Sequence, residues 1–202
     1  MKLGKKRPLQ KRSKVIVDSI VESTTRILES IQYDQISTNK IAKKAGVSIG
    51  SLYQYFKNRE SVYDLVFDEM IEKNIAYYSQ IFEENKNLSL EKFIEILVSL
   101  SFDYFLNQKG YLTAIHSMQV LLGKSGSIIK FRMRLAELTA DKFVILYPEL
   151  GTSKEAIKKK AFLSLCLNFG IIHSYIHAKD FPYTKEELRI EMIASTLATL
   201  KR

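Results

Sequence analysis

Ile41-Ala42-Lys43-Lys44-Ala45-Gly46-Val47-Ser48 reads as the end of one helix, a sharp turn and the start of the next. Helices that cross at such a turn approach closely, so a small side chain must face the contact and a glycine must take the left-handed conformation. Ala45 and Gly46 meet those two needs. Ile41, Val47, Leu52 and Phe56 are spaced to form the buried face of the pair. That leaves Ser48, Ile49, Gly50, Ser51, Tyr53, Gln54, Tyr55 and Lys57 facing outward or flanking the second helix. Small and polar residues at its start let the backbone approach DNA.

Outward from this motif the pattern stays helical. Upstream, Ile16, Ile20, Ile27 and Ile31, with Val17, Val21 and Leu28 beside them, recur at three- and four-residue intervals and predict an amphipathic helix over 13–31. Residues 33–36 connect it to a short helix capped by Ser37 or Thr38, and Ser48 caps the next helix, through about Phe56. Lys57-Asn58-Arg59 is a polar break before a long helix from Glu60 to about Asn85. Beyond it, helical patterns cover 89–107, 111–122 and 127–146. Two capping boxes, Thr152 with Glu155 and Thr184 with Glu187, open the last two helices, and Pro182 separates them. With 8 Gly and 3 Pro in 202 residues, too few for the turns of a β architecture, the fold class is all-α with about nine helices.

Charge is distributed as unevenly as the helices are regular. Residues 1–59 hold 13 Lys and Arg against 4 Asp and Glu, so the entire net charge of +9 lies in that segment and the remainder balances. Clustered cations gain affinity for nucleic acid by releasing its condensed counterions, which points to a polyanionic partner for the N-terminal part alone. Lys5, Lys6, Arg7, Lys11 and Arg12 form either an arm reaching a neighbouring groove or phosphate, or a solvated tail.

Other function classes find little support. A single cysteine, Cys166, excludes an intramolecular disulfide framework, and there is no run of about 18 apolar residues to cross a membrane. These features imply a soluble, cytoplasmic protein. His173 and His177 share a helix face, but Ser174 stands where a zinc-protease motif needs glutamate, so packing is the expected role and no metal is assigned. There is no recognisable nucleophile motif, and neither a catalytic residue nor a cofactor is expected.

The run Thr38-Asn39-Lys40-Ile41-Ala42-Lys43-Lys44-Ala45-Gly46-Val47-Ser48-Ile49-Gly50-Ser51-Leu52-Tyr53-Gln54-Tyr55-Phe56-Lys57-Asn58-Arg59-Glu60 resembles the signature of the TetR family of bacterial regulators. The resemblance covers residues 13–65, with Arg59 where lysine is commoner; residues 66–202 are similar only in helix number, length and order. It implies a three-helix DNA-binding domain over 1–59 and a helical ligand-binding and dimerisation domain over 60–202. The expected partners are a double-stranded, pseudo-palindromic operator, a small-molecule effector and a second copy of the chain. Carried across by position, Thr38, Tyr53, Tyr55 and Lys57 look like phosphate contacts, while Gly50, Ser51 and Gln54 lie where base edges are read beside the capping Ser48.

Residues 60–202 hold 18 of the 22 Phe and Tyr residues, and aromatics fill cores before they do anything else. Since the resemblance places a pocket in this part, Phe67, Met70, Tyr77, Tyr78, Phe102, Phe105, His116, Met118, Phe131 and Phe169 are its expected lining, around a mainly apolar ligand. Leu163, Leu167, Ile171, Ile193 and Leu197 supply an apolar face for a two-fold contact. The expected function is a repressor released from its operator by that ligand; the alternatives are an activator or a partner-controlled regulator of the same fold and, from a different class, a helical enzyme or carrier with a basic anchor.

Overall fold

A computed structural model of the protein describes residues 11–30, 35–107 and 126–202. The helix expected over 111–122, with His116 and Met118, and the basic residues Lys5, Lys6 and Arg7 lie outside the described residues. The described chain is helical: α1 Lys11–Ser30, α2 Thr38–Lys44, α3 Ile49–Tyr55, α4 Arg59–Glu84, α5 Leu90–Asn107, α6 Gly126–Leu146, α7 Lys154–His177 and α8 Lys185–Lys201, with a 3-10 turn at Pro148–Leu150. None of the described helices is long and apolar enough to cross a membrane. The contacts divide the chain into two units, one reaching Glu72 and the other formed by Lys73–Lys109 with Ile128–Arg202. The chain passes from one to the other within α4.

In the first unit α1, α2, α3 and the start of α4 close around Ile20, Leu28, Ile41, Leu52, Phe56 and Tyr63, all buried. The α2–α3 turn is closed entirely by backbone and cap. Gly46 adopts φ +68, its N–H bonds to the carbonyl of Lys43 at 3.3 Å, and the Val47 N–H bonds to that of Ala42 at 3.0 Å, so the last carbonyls of α2 are satisfied. The Ser19 hydroxyl donates to the Ala45 carbonyl at 3.0 Å and ties α1 to the same turn. Of the two cap residues expected for α2, Ser37 takes the role, accepting from the Lys40 N–H. Val62, Tyr63, Val66 and Phe67 of α4 belong to this core, which is why the unit runs past residue 59.

In the second unit α5 packs on α7 and α8, and α7 on α8. An aromatic cluster joins α4, α5 and α6: ring centroids lie 4.9 Å apart for Phe82 and Phe93, 5.8 Å for Phe93 and Phe143, and 5.0 Å for Phe143 and Tyr147. Ion pairs line its surface. Asp103 of α5 meets Lys185 at 2.6 Å and Arg189 at 3.2 Å, both on α8. Glu137 of α6 meets Lys154 and Lys158 of α7, whose hydrogen bonds hold its carboxyl down at about 2.

The capping box expected at Thr184 and Glu187 forms, with the Thr184 N–H bonded to Glu187 Oε2 at 2.7 Å and the Glu187 N–H to Thr184 Oγ1 at 3.2 Å. The one expected at Thr152 and Glu155 does not. The N-cap of α7 is Ser153, whose hydroxyl accepts from the Ala156 N–H, so Glu155 falls one position short of the place from which a side chain returns.

Gly46 and Gly50 make opposite demands on the backbone. A Cβ at Gly46 meets nothing within 4 Å, so Gly46→Ala suffers only the left-handed φ and should lower stability by about 1–2 kcal/mol. At Gly50, inside α3, the nearest atom is Ser48 Oγ at 3.8 Å, so Gly50→Ala should raise stability by about 0.5 kcal/mol. Urea denaturation of the two variants checks both signs.

Candidate nucleic-acid interface and effector cavity

Helix α3 has seven residues, too few to hold its shape alone in water, so its fold comes from its cap and its buried side. Ser48 Oγ accepts from the Ser51 N–H at 3.0 Å, while Leu52 and Phe56 are fully buried beneath. The opposite side is thereby turned outward: Ser48, Ile49, Gly50, Tyr53, Gln54 and Lys57 are exposed, and Ser51 and Tyr55 half-buried. Tyr55 also packs on the core, so its ring has a structural role as well.

Two hydroxyl pairs organise this surface. Thr38 Oγ1 and Tyr53 Oη lie 3.0 Å apart, linking the first residue of α2 to the middle of α3. Ser48 Oγ and Ser51 Oγ lie 2.8 Å apart. After α3 the chain is pinned again, because Ser61 donates from N–H and hydroxyl to the side chain and carbonyl of Asn58, at 2.9 and 2.7 Å. Lys57 stands between Phe56 and that cap, so its backbone is fixed while its side chain is exposed.

Arg59, which sequence reasoning passed over as a variant of lysine, has a constructive role. Its Nη1 donates to the Ile36 carbonyl at 2.5 Å, its guanidinium lies 5.8 Å from the centre of the Tyr63 ring, and its Nε meets Glu60 at 3.4 Å. It thus ties the start of α4 to the residue just before the cap of α2. Lys43 and Lys44, exposed at the end of α2, also add cations beside this surface.

The second unit contains a cavity of about 60 Å³, walled by α4, α5, α6, α7 and α8. Of the aromatics expected to line a pocket, Tyr78, Phe105 and Phe169 do so. Phe67 and Met70 lie instead in and against the first unit's core, since the buried side of α4 serves that unit over its first turns. Tyr77 stacks on Tyr104 at 5.7 Å, Phe102 packs on Tyr175 at 6.0 Å, and Phe131 packs edge-on to Phe169 at 5.9 Å; none of the three reaches the lining. The polar lining residues Ser101, Thr139, Ser164, Asn168 and Thr196 were not singled out from the sequence, where a polar residue inside a helix reads as a solvated position. Burial raises the Tyr78 hydroxyl well above the usual tyrosine range and keeps it a donor, bonded to Ser101 Oγ at 3.0 Å.

The rings of His173 and His177 pack at a tilt of 45° with centroids 4.5 Å apart, and among the described residues no group of three or more His, Cys, Asp or Glu is arranged to hold a metal. Cys166 Sγ accepts from Arg132 Nη1 at 3.7 Å. On α7 and α8, Leu163 and Leu167 are exposed, and Ile171, Ile193 and Leu197 half-buried.

Residues 20–66, which span most of the first unit, match the family model described as bacterial regulatory proteins, tetR family. That segment is a TetR-family DNA-binding segment. Its match supports a DNA-binding transcriptional regulator. A TetR-family regulator from Mesorhizobium loti has the same fold, with a TM-score of 0.69 over 95% of this chain and 98% of that one at 18% identity. The fatty acid metabolism regulator protein of Bacillus subtilis is 38% identical over 60 residues, 30% of either chain. The nucleoid occlusion factor SlmA of a Marinomonas species is 24% identical over 177 residues, covering 85% of this chain and 84% of that protein.

Within this TetR helix-turn-helix, Arg59 is the residue that most directly tests how the turn is braced. Arg59→Ala should lower stability by about 1.5 kcal/mol through loss of a charged hydrogen bond to a carbonyl, and Arg59→Lys by less. Thermal and urea unfolding of the two variants measures the difference.

Proposed function

We propose that the protein is a homodimeric repressor that holds a pseudo-palindromic operator through α3 of each subunit and is released when a small ligand enters the cavity of the second unit. The observation that carries the DNA part is the two-sided build of α3: Leu52 and Phe56 buried, and Ser48, Gly50, Tyr53, Gln54 and Lys57 exposed on a fixed backbone. Thr38, Tyr53, Tyr55 and Lys57 hold the phosphate backbone, and Gly50, Ser51 and Gln54 lie against base edges in the major groove beside Ser48. In this division of labour residues 1–59 bind DNA, and 60–202 bind effector and partner.

The second subunit covers α7 and α8. Leu163 and Leu167 are 47% and 55% exposed, one helical turn apart, with Ile171 following and Ile193 and Leu197 on the neighbouring helix. Burying the part of such side chains still exposed against their two-fold mates is worth about 1 kcal/mol each. The B. subtilis relative named for fatty acid metabolism matches only within 30% of this chain, so its name bears on the DNA-binding part and the effector must be read from the cavity itself.

The DNA assignment is tested by salt titration on DNA from the promoter region of the protein's own gene, on single-base variants and on unrelated DNA. Lys57→Ala should weaken binding to all of them and reduce the salt slope by about one per contact, with sequence preference kept. Ser51→Ala should leave the slope unchanged and alter discrimination at one base pair per half-site by about 1–3 kcal/mol. The opposite pattern would overturn this orientation of α3.

The dimer is tested by charge at its centre. Leu163→Glu combined with Leu167→Glu should give a monomer in sedimentation with its helix content intact, and operator affinity should fall by two orders of magnitude or about that, since each half-site is then held alone. A stable dimer carrying both substitutions would refute the face.

A further inference from the structure

The cavity of the second unit is mainly apolar, and two of its polar lining groups are left unpaired. Ser164 and Asn168 stand one helical turn apart on α7 and both line the cavity. Asn168 Nδ2 donates to Thr196 Oγ1 at 3.1 Å, which commits the amide's donor side to α8. Its Oδ1, and the hydroxyl oxygen of the 6%-exposed Ser164, are buried with no hydrogen-bond partner. The remaining polar lining is engaged elsewhere: Ser101 donates to the Leu97 carbonyl at 2.6 Å, and Thr139 to that of Leu135 at 2.8 Å. None of the described lining residues is charged.

Resting on the effector reading above, we infer that this cavity selects a small, neutral, unbranched ligand whose hydroxyl group donates to Asn168 Oδ1 and is bonded by Ser164. The amide oxygen only accepts, so it demands an O–H or N–H from the occupant and repels a carboxylate. A carboxylate also finds no cation in the described lining, and an unpaired buried charge is strongly disfavoured. Size sets the rest. About 60 Å³ is less than half of the ~150 Å³ apolar cavity that takes up benzene, so the apolar part is a short, narrow chain.

Three probes of nearly one size separate the possibilities: 1-propanol, its isomer ethyl methyl ether, which lacks the donor, and propanoate at neutral pH. Each is titrated into the full-length protein and followed by NMR shifts of the α7 methyl groups. The alcohol should bind at least about tenfold more tightly than the ether, and propanoate should not saturate, because a site with unpaired polar groups rejects the analogue that cannot satisfy them. In Ser164→Ala, a minimal change, and in Asn168→Leu, that preference should shrink to about twofold or less while ether binding is retained. Equal binding of ether and alcohol, tightest binding of propanoate, no saturable binding by any probe, or a preference that survives in both variants would overturn the assignment. A parallel measurement of promoter-DNA affinity with and without 1-propanol separates the two readings. If the alcohol preference holds and DNA affinity does not change, the effector reading fails and the ligand class stands.

Discussion

The fold of the DNA-binding unit depends on one backbone conformation, the left-handed Gly46 between α2 and α3. Helices of seven residues each have no independent stability, and they persist because the turn sets them at an angle at which Ile41, Leu52 and Phe56 share one core. At Gly46 a side chain would have ample room and still be strained, since the restriction lies in φ and not in packing. The turn is then closed by bonds independent of side-chain identity, from the N–H groups of Gly46 and Val47. Because backbone and core together hold α3, its outer side is released from any structural duty, and small polar residues occupy it.

The cations around α3 differ from many in the second unit in having no carboxylate beside them among the described residues. In the second unit cations are matched by neighbours on adjacent helices: Lys154 by Glu137 and Asp141, Lys185 and Arg189 by Asp103, Lys201 by Glu91. These pairs are largely solvated and contribute little to stability individually. Lys43, Lys44 and Lys57 of the first unit form no ion pair with the described residues, and they stand beside the exposed side of α3. Uncompensated charge next to a rigid, small-residue helix is what a polyanion requires for both attraction and close approach.

What could be read in the sequence is what short-range rules determine. The Gly46 turn, the Ser48 cap and the Thr184 capping box each depend on residues within a few positions of one another, and spacing alone reveals them. Thr152 and Glu155 fit the same pattern, yet Ser153 beside them is an equally good cap, and which of two adjacent hydroxyls starts the helix depends on how the chain leaves the turn at Gly151. Phe67 and Met70 show a different limit. Periodicity identifies the buried side of α4 but not which of two cores it faces, and over its first turns it faces that of the DNA-binding unit. Ser164 and Asn168 were invisible for a stronger reason, since nothing in a one-dimensional pattern tells a buried polar residue from a solvated one.

Those two residues also explain how a cavity so small can have a preference. A buried acceptor without a partner costs about 1–3 kcal/mol, and the native state bears that cost at Asn168 Oδ1 and again at the Ser164 hydroxyl. An apolar occupant gains dispersion and area but leaves both groups as they were, whereas a donor of matching position also recovers part of the cost. Selectivity therefore comes from an instability already present in the protein, not from affinity added by a larger contact surface. The same instability ties binding to stability, because a ligand that binds only the folded chain shifts the folding equilibrium by mass action. Since the two groups lie on α7, the helix whose other side carries Leu163 and Leu167, the occupant acts on an element that also presents the apolar face left exposed in the single subunit.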